Sequence, residues 1–449
     1  TVESVWLARQ VTTPSPEEVM ALGLGAGERV ARLERVRRSD GVPLAIERAS
    51  LSAQVLPEPE AVEASLYAVL EARGMRPVRA VQRISAANLG ARDAELLGVP
   101  LGAAGLKIER IGYLPDGRVV DFSTPEQITT SEGQSYALFF ALVNNDKARF
   151  KQVLDWTERH LAMGGLAVSL PSWKWGRING KQFGLLDANS ASDSDLWIAY
   201  NLLEAGRLWN IKEYEDKGRA LMKLIQQQEV ASLPGYGDMV LPGPMGFNPS
   251  PDVYRMNPSY LPLFMLRRLA AADPSDFWQR QPEASVRLIV DSSPKGFVPD
   301  WITVTKAGLI PDIEKGKVGS YDAIRVYLWY AMTSPQDPLR NRMKQAVFGY
   351  MQLAERLGEP LERVDVQTGI WEGHPAPGFF YALEPLAVEL KSSQLLKALK
   401  ARQGVLKQEK LASLTYYDWV LYLYAKGWMD KRYRFDKQGA LQVTWTKPC

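Results

Sequence analysis

Cysteine is almost absent from this sequence: its 449 residues contain one, Cys449, at the last position. That excludes a disulfide framework within the chain and a cysteine-ligated metal. Histidine is nearly as scarce. His160 and His374 are too few and too far apart in sequence to suggest a metal centre, and neither has a serine nucleophile motif beside it. His160 falls on an amphipathic stretch, residues 150–161, where packing or surface exposure is the plainer role. No run of about 18 apolar residues exists, so no membrane span is expected. Blocks of basic residues are missing too, and a net charge of +3 on this length argues against a dedicated nucleic-acid binder. The opening TVESVW has neither a basic nor an apolar leader region, so no signal peptide is expected in this chain. Chemistry falls to the carboxylates, with no metal and no organic cofactor expected.

What is present is a globular composition, 46% hydrophobic and 23% charged, on a chain long enough for two or three domains. The composition changes near residue 115. Before it stand one lysine, Lys107, and one tryptophan, Trp6; after it lysine is common and the other twelve tryptophans appear. A boundary is therefore expected at Asp116–Val120, giving domains 1–118 and 119–449.

The first segment repeats a pattern. Gly23 to Gly27 leads into Val30-Ala31-Arg32-Leu33-Glu34-Arg35-Val36 and then Asp40-Gly41. Later, Gly98 to Gly102 leads into Leu106-Lys107-Ile108-Glu109-Arg110-Ile111 and then Asp116-Gly117. Each copy reads as a short helix, a glycine turn, an alternating strand and an Asp-Gly hairpin turn. A returning strand, Val42 to Arg48, follows the first copy, and a helix from Ser65 to Glu71 closes at Gly74. The pieces LERVRRSDG, PLAIERASL, SLYAVLEARG and ELLGVPLGAAGLKIERIGYLPDG together resemble the UTRA domain, the effector-binding half of GntR-type regulators, over about residues 10–120. The resemblance implies an α+β fold and a small, sugar-like or phosphorylated effector. It places effector contacts at Arg35, Arg37, Glu47, Ser65 and Tyr67. From the residues alone, Arg35 and Glu47 read equally well as a cross-strand ion pair. A winged helix-turn-helix like that of such regulators is not expected in this chain, nor is a returning strand after the second copy.

From Asp121 onward the pattern is helical. Apolar segments (137–143, 196–209, 260–269, 323–332, 416–425) alternate with amphipathic ones (150–161, 214–229, 338–357, 394–403). Buried and half-buried helices in alternation suggest two concentric rings. The loops 164–194 and 233–257 are long enough to suggest function.

Three acids open three of the apolar segments. Glu132 lies in TSEGQSY, with Gly133 and Ser135 leaving room beside it. Asp193 lies in LDANSASDSD, and Asp322 in SYDAIRVY, with Arg325 one turn further on the same face. Each acid has a plainer reading as a helix cap: Thr129 with Glu132 and Ser192 with Asp195 have capping-box spacing. If the apolar helices form one ring, however, the acids converge at one end of it. Glycoside hydrolysis needs a carboxylic acid and a carboxylate in such an arrangement. The loops add what a sugar polymer requires. The aromatic faces of Trp173, Trp175, Trp301 and Tyr321 can stack on pyranose rings, and Asn189 and Ser190 can meet hydroxyls. Two rival readings stay open: a small-molecule sensor whose barrel is inert, and a carbohydrate-binding protein without turnover.

The motifs TSEGQSY, LDANSASDSDLWIAYNLLEAGRLW, LPGPMGF, NPSYLP, PKGFVPDW and SYDAIRVY, in this order, resemble the family 8 glycoside hydrolases, nearest the periplasmic cellulases of cellulose-synthase operons. The resemblance covers about residues 116–449. It implies an (α/α)6 barrel with an open groove and inverting endo-hydrolysis of β-1,4-glucan, the chemistry of cellulose degradation. It makes Glu132 the general acid, Asp322 the general base and Asp193 the third acid, with Arg325 beside the base. Trp173, Trp175, Asn189, Tyr254, Trp301 and Tyr321 become substrate contacts. It also implies a periplasmic or secreted location; a native N-terminal segment would instead imply the cytoplasm. The family's first outer helix precedes the DGRVVD turn, and here the UTRA-like segment stands in its place. The expected fold class is thus multidomain: an α+β UTRA-like domain followed by an all-α (α/α)6 barrel lacking its first outer helix.

Overall fold

The computed structural model describes residues 2–22, 24, 27–73, 75–77, 79–113, 116–180, 182–409 and 414–446. Gly23, Gly25 and Ala26 of the expected glycine turn, the helix-closing Gly74, and Cys449 lie outside the described residues. The chain divides into two compact units, Thr1–Asp116 and Gly117–Cys449.

In the first unit β1 (Val2–Thr12), β2 (Val30–Ser39) and β3 (Val42–Ser52) form one antiparallel sheet in that order. Asp40 and Gly41, at φ 50° and 82°, make the two-residue turn between β2 and β3. Positive φ at both positions is what a type I′ hairpin requires, and Asp-Gly supplies it at low cost. β4 (Arg79–Asn88) and β5 (Ala104–Tyr113) form a separate antiparallel pair. Three short helices, α1 (Pro16–Leu22), α2 (Leu66–Ala72) and α3 (Ala91–Leu97), complete the unit. Its core is small, built on Ala31, Leu33, Leu56 and Val62. β4 was not expected as a strand because polar residues occupy half of its positions, Arg79, Gln82, Arg83 and Ser85 among them, with no regular alternation.

The second unit has eleven helices among the described residues: α4 (Ser131–Val143), α5 (Lys147–His160), α6 (Ser192–Trp209), α7 (Lys212–Gln228), α8 (Leu263–Ala272), α9 (Asp276–Asp291), α10 (Ala323–Met332), α11 (Arg340–Leu357), α12 (Pro377–Glu389), α13 (Ser393–Glu409) and α14 (Tyr416–Met429). The even-numbered ones from α4 to α14 pack in succession, and each is followed by an outer helix packed against it, α14 excepted. α10 shows why they are interior: all ten of its residues are buried. An apolar helix of that kind must be covered on every side. Tyr424 of α14 closes the ring, lying 5.5 Å from Tyr136 and 5.1 Å from Phe139 of α4 between ring centroids. Trp197, Phe264 and Trp329 meet in the same aromatic core.

Two helices escaped the sequence pattern. α9 contains Pro282, and α12 contains Pro377 and Pro385. Proline reads as a breaker unless packing holds the rest of the helix. The unit is also not purely helical. The long loop after α5 folds into β7 (Ser172–Ile178) and β8 (Gln182–Ser190), paired with β6 (Thr129–Thr130) ahead of α4. Every strand pairing among the described residues of this unit is antiparallel. The second Asp-Gly makes no hairpin: no strand returns after it among the described residues. Gly117 serves instead as a close contact, since a Cβ there would lie 2.1 Å from the Gln152 carbonyl of α5. No helix among the described residues is long and apolar enough to cross a membrane.

Candidate active site

Asp322 stands at the N-cap of α10, yet its side chain caps nothing. That task belongs to Asp300, whose Oδ1 accepts from the backbone N–H of Ser320 (2.7 Å), Asp322 (3.0 Å) and Ala323 (2.7 Å). Relieved of the cap, the half-buried Asp322 carboxylate accepts from Trp301 Nε1 on Oδ2 (3.0 Å) and from Arg325 Nη2 on Oδ1 (2.6 Å). Burial, and after it the Asp322 charge, push Asp300 up to about 6 against the pull of those three amides.

Arg325 is buried and faces two acids. Its Nη1 lies 3.6 Å from Asp193 Oδ2, while Nη2 also donates to Ser259 Oγ (2.8 Å). Nη1 donates to the Tyr136 hydroxyl at 3.3 Å. Removing either partner of such a buried pair costs about 3–5 kcal/mol. Asp193, in the first turn of α6, is 3% exposed; its Oδ1 accepts from the Ser194 N–H at 2.8 Å. Burial, then the neighbouring Glu132, raises it well above the usual carboxylate range.

Glu132 lies in the first turn of α4. The helix is capped by Thr130, whose Oγ1 accepts from Gly133 N at 3.1 Å, and not by Thr129. The Thr129 hydroxyl is already engaged, donating to the Val119 carbonyl (2.5 Å) and accepting from Arg118 Nε (2.8 Å). The capping box expected of Thr129 and Glu132 therefore does not form, and Glu132 Oε2 is enclosed without a hydrogen-bond partner. Burial raises Glu132; the Arg325 charge opposes the shift and the Asp322 charge adds to it. The room left by Gly133 is taken by Tyr416, whose hydroxyl would be 2.7 Å from a Cβ at that position. The expected Ser192–Asp195 box is also absent: Ala191 is the N-cap, with no side-chain cap.

Three acids from α4, α6 and α10 thus gather around one guanidinium. Beside Asp322 a cavity of about 320 Å³ is lined by Tyr321, Asp322, Ala376, Thr415, Tyr417 and Asp418. Tyr321 is 45% exposed there, and its carbonyl accepts from the Tyr417 hydroxyl at 2.5 Å.

A model of glycosyl hydrolases family 8 matches residues 112–431. The chain belongs to glycosyl hydrolases family 8. An endoglucanase of Xanthomonas axonopodis pv. citri is 46% identical over 334 residues, which are 74% of this chain and 87% of that one. An endoglucanase of Escherichia coli O157:H7 is 42% identical over 335 residues, 74% of this chain and 89% of that one. The solved endo-1,4-D-glucanase of Vibrio fischeri ES114 superimposes with a TM-score of 0.71 at 41% identity, over 75% of this chain and 97% of that one. Residues 1–124 match the UTRA domain. There the HTH-type transcriptional repressor PhnF of Mycolicibacterium smegmatis is 37% identical over 110 residues, 23% of this chain and 45% of that one.

The remaining expected sugar contacts of this family 8 chain divide. Trp173 is half-buried, with Lys174 Nζ 5.3 Å over its ring. Tyr254 is half-buried and packs against the core. Asn189 Nδ2 donates to the Met245 carbonyl (3.0 Å), leaving Oδ1 without a partner. Trp175 is not an open platform: Phe183 stacks on it at 5.1 Å, and Arg118 lies 4.5 Å from its ring. Trp301 likewise stacks on Phe247 at 5.7 Å while holding Asp322. Ser190 does not face outward either, because its hydroxyl donates to buried Glu229 at 2.5 Å.

In the UTRA unit, Arg35 Nε donates to Glu47 Oε2 (2.7 Å) directly across β2 and β3, so the cross-strand ion pair is present. Arg35 also donates to the Ala64 carbonyl (2.7 Å) and stacks 4.9 Å from Trp6. Ser65 caps α2 by accepting from Ala68 N (3.2 Å). Arg37 is half-buried, and Tyr67 is 39% exposed with Arg110 5.6 Å from its ring.

Sequence reasoning passed over Asp300, Ser259, Tyr136 and Glu229. Two of them carried a readable signal. Asp300 precedes Trp301 in a motif already singled out. Glu229 closes α7 at the helix end where a negative charge is unfavourable, so an acid there needs a reason.

Proposed function

We propose that this chain hydrolyses internal β-1,4 links of glucan, cellulose included, by a single inverting displacement. Glu132 acts as general acid, Asp322 as general base, and Asp193 positions water and sugar at the cleavage point. Water attacks the anomeric carbon and gives its proton to Asp322, while Glu132 gives its proton to the departing oxygen, so the two carboxyls balance the reaction. The observation that carries this reading is the unequal treatment of the two carboxyls. Asp322 is oriented by two donors, Trp301 and Arg325, whereas Glu132 is buried with Oε2 unpartnered, as suits a group that must keep a proton.

The fold implied is an (α/α)6 barrel without its first outer helix. Exposed Trp419 and Leu423, one turn apart on α14, support that reading. The relatives suggest a periplasmic or secreted enzyme. The UTRA match supports a small sugar-like or phosphorylated effector at Arg35, Arg37, Glu47, Ser65 and Tyr67. Arg37 and Tyr67 are the freest of these to meet a ligand.

Release of reducing ends from carboxymethyl-cellulose by the whole chain tests the activity. Glu132→Gln and Asp322→Asn should each lower turnover by about 10²–10⁴-fold with oligosaccharide affinity retained. NMR of the first product should show the α-anomer. A β-anomer, or full activity in Glu132→Gln, would overturn the roles.

A further inference from the structure

Two residues beyond Asp193 on α6 lies Asp195, 0% exposed, and against it lies Glu229, also 0% exposed. The two side chains reach each other within hydrogen-bonding distance. Ser190 Oγ donates to Glu229 Oε1 at 2.5 Å, and Ser194 Oγ lies 3.4 Å from Asp195 Oδ1. The second oxygens, Asp195 Oδ2 and Glu229 Oε2, receive nothing from any third group. No cation pairs with either carboxyl among the described residues; the charged groups facing the pair are Asp193 on α6 and Glu132 on α4. Two ionised carboxylates cannot persist together in such surroundings. One proton between the two orphaned oxygens resolves both problems, turning two unmatched acceptors into one donor and one acceptor.

The pair is also wired to the site. Ser194 Oγ lies 2.6 Å from Ser131 Oγ, joining the first turn of α6 to the residue before Glu132 on α4. From the other side, Ser192 N donates to the Pro242 carbonyl at 3.0 Å, which fixes the same turn.

We propose that Asp195 and Glu229 share one proton and act as a single buried negative charge that positions Asp193 and keeps Glu132 protonated. The proposal rests on Glu132 being the acid. Burial raises both carboxyls, Glu229 to about 7, so above that pH the pair carries one charge. Asp195 and Glu229 are positioning residues; neither need touch the glucan.

The test compares pH profiles of kcat/KM on a soluble cello-oligosaccharide. Asp195→Asn keeps the Glu229 carboxylate and offers it an amide donor, so the alkaline limb should stay in place. Asp195→Asn with Glu229→Gln removes the charge at nearly constant shape. A unit charge within about 10 Å at an effective dielectric near 20 moves a neighbour by about one pH unit. The alkaline limb of the double variant should therefore fall by about one unit while KM changes less than about two-fold. A limb that does not move in the double variant, or one that moves as far in Asp195→Asn alone, overturns the proposal. Should the double variant not fold, infrared spectroscopy in the Glu132→Gln background decides. A protonated-carboxyl band above pH 7 must lose the intensity of one carboxyl on adding Asp195→Asn, and an unchanged band refutes the shared proton. Failure of the Glu132 assignment would appear separately, as activity in Glu132→Gln.

Discussion

Asp300→Asn is the substitution in which stability and catalysis should part. Asparagine retains an Oδ1 that can accept the same three amides of Ser320, Asp322 and Ala323, so the start of α10 keeps its cap. What disappears is a charge. Asp300 is raised from 3.8 to about 6, chiefly by burial and then by Asp322, so the folded chain binds this proton more tightly than the unfolded one. The sign follows. Below about pH 4 the group is neutral in both states. As pH rises from about 4 to 6, the unfolded chain releases the proton first, and folding stability falls. The difference, 6 − 3.8, is about 2 units, or about 3 kcal/mol above pH 6. Urea unfolding of the wild type and Asp300→Asn should therefore give similar free energies at pH 4. Near pH 7.5 they should diverge, with the variant more stable by up to about 3 kcal/mol. Below about pH 6 the wild-type Asp300 is itself neutral, so activity of the variant there should stay close to that of the wild type. A variant less stable at every pH would refute the reasoning, because it would mean that the charge-assisted cap outweighs burial.

Three further outcomes are expected. Trp301→Phe removes the N–H held 3.0 Å from Asp322 while keeping the stack on Phe247; a hydrogen bond to a charged group is worth about 1.5–3 kcal/mol, so kcat should fall about 10–100-fold with KM little changed in steady-state assays. Gly133→Ala drives a methyl group to within 2.7 Å of the Tyr416 hydroxyl and should cost about 1–3 kcal/mol in thermal or urea unfolding, together with lower turnover. Trp197→Ala empties the centre of the aromatic ring contacts and should cost about 3–5 kcal/mol by urea unfolding; a loss below about 1 kcal/mol would contradict the packing described.

The inner helices were legible because α4 and α10 are apolar on all sides, and only burial satisfies such segments. The acids were legible because each stands at the opening of one of those segments. What the sequence could not reveal depends on partners far along the chain. Thr129 and Thr130 are equally good caps by residue type; the choice falls to Thr130 because Arg118 and Val119 claim the Thr129 hydroxyl. Ser190 looked free to meet a sugar until Glu229, 39 residues on, accepted the hydrogen bond of its hydroxyl. Trp175 looked like a platform until the β7–β8 hairpin brought Phe183 over its face. Local pattern fixes which face of an element is apolar, but side-chain allegiance is decided by what the fold brings opposite.

That distinction bears on how one ring of helices can yield the acid and the base proposed above. Glu132, Asp193 and Asp322 all stand at helix N-termini, where the backbone favours a carboxylate by about 0.3–1 kcal/mol. Helix position therefore cannot tell them apart. Nor can burial alone, since Glu132 and Asp193 are both raised by it. The donors differ. Asp322 receives two, from Trp301 and Arg325, and is freed to do so because Asp300 has taken over the cap. Glu132 Oε2 receives none, and burial outweighs the support that its own backbone N–H and the Thr130 hydroxyl lend the carboxyl. A group that must accept a proton needs its carboxylate held, and a group that must deliver one needs its carboxylate left unsupported. In both cases the neighbouring residue that assumes the capping task, Asp300 or Thr130, is what leaves the functional carboxyl available for chemistry.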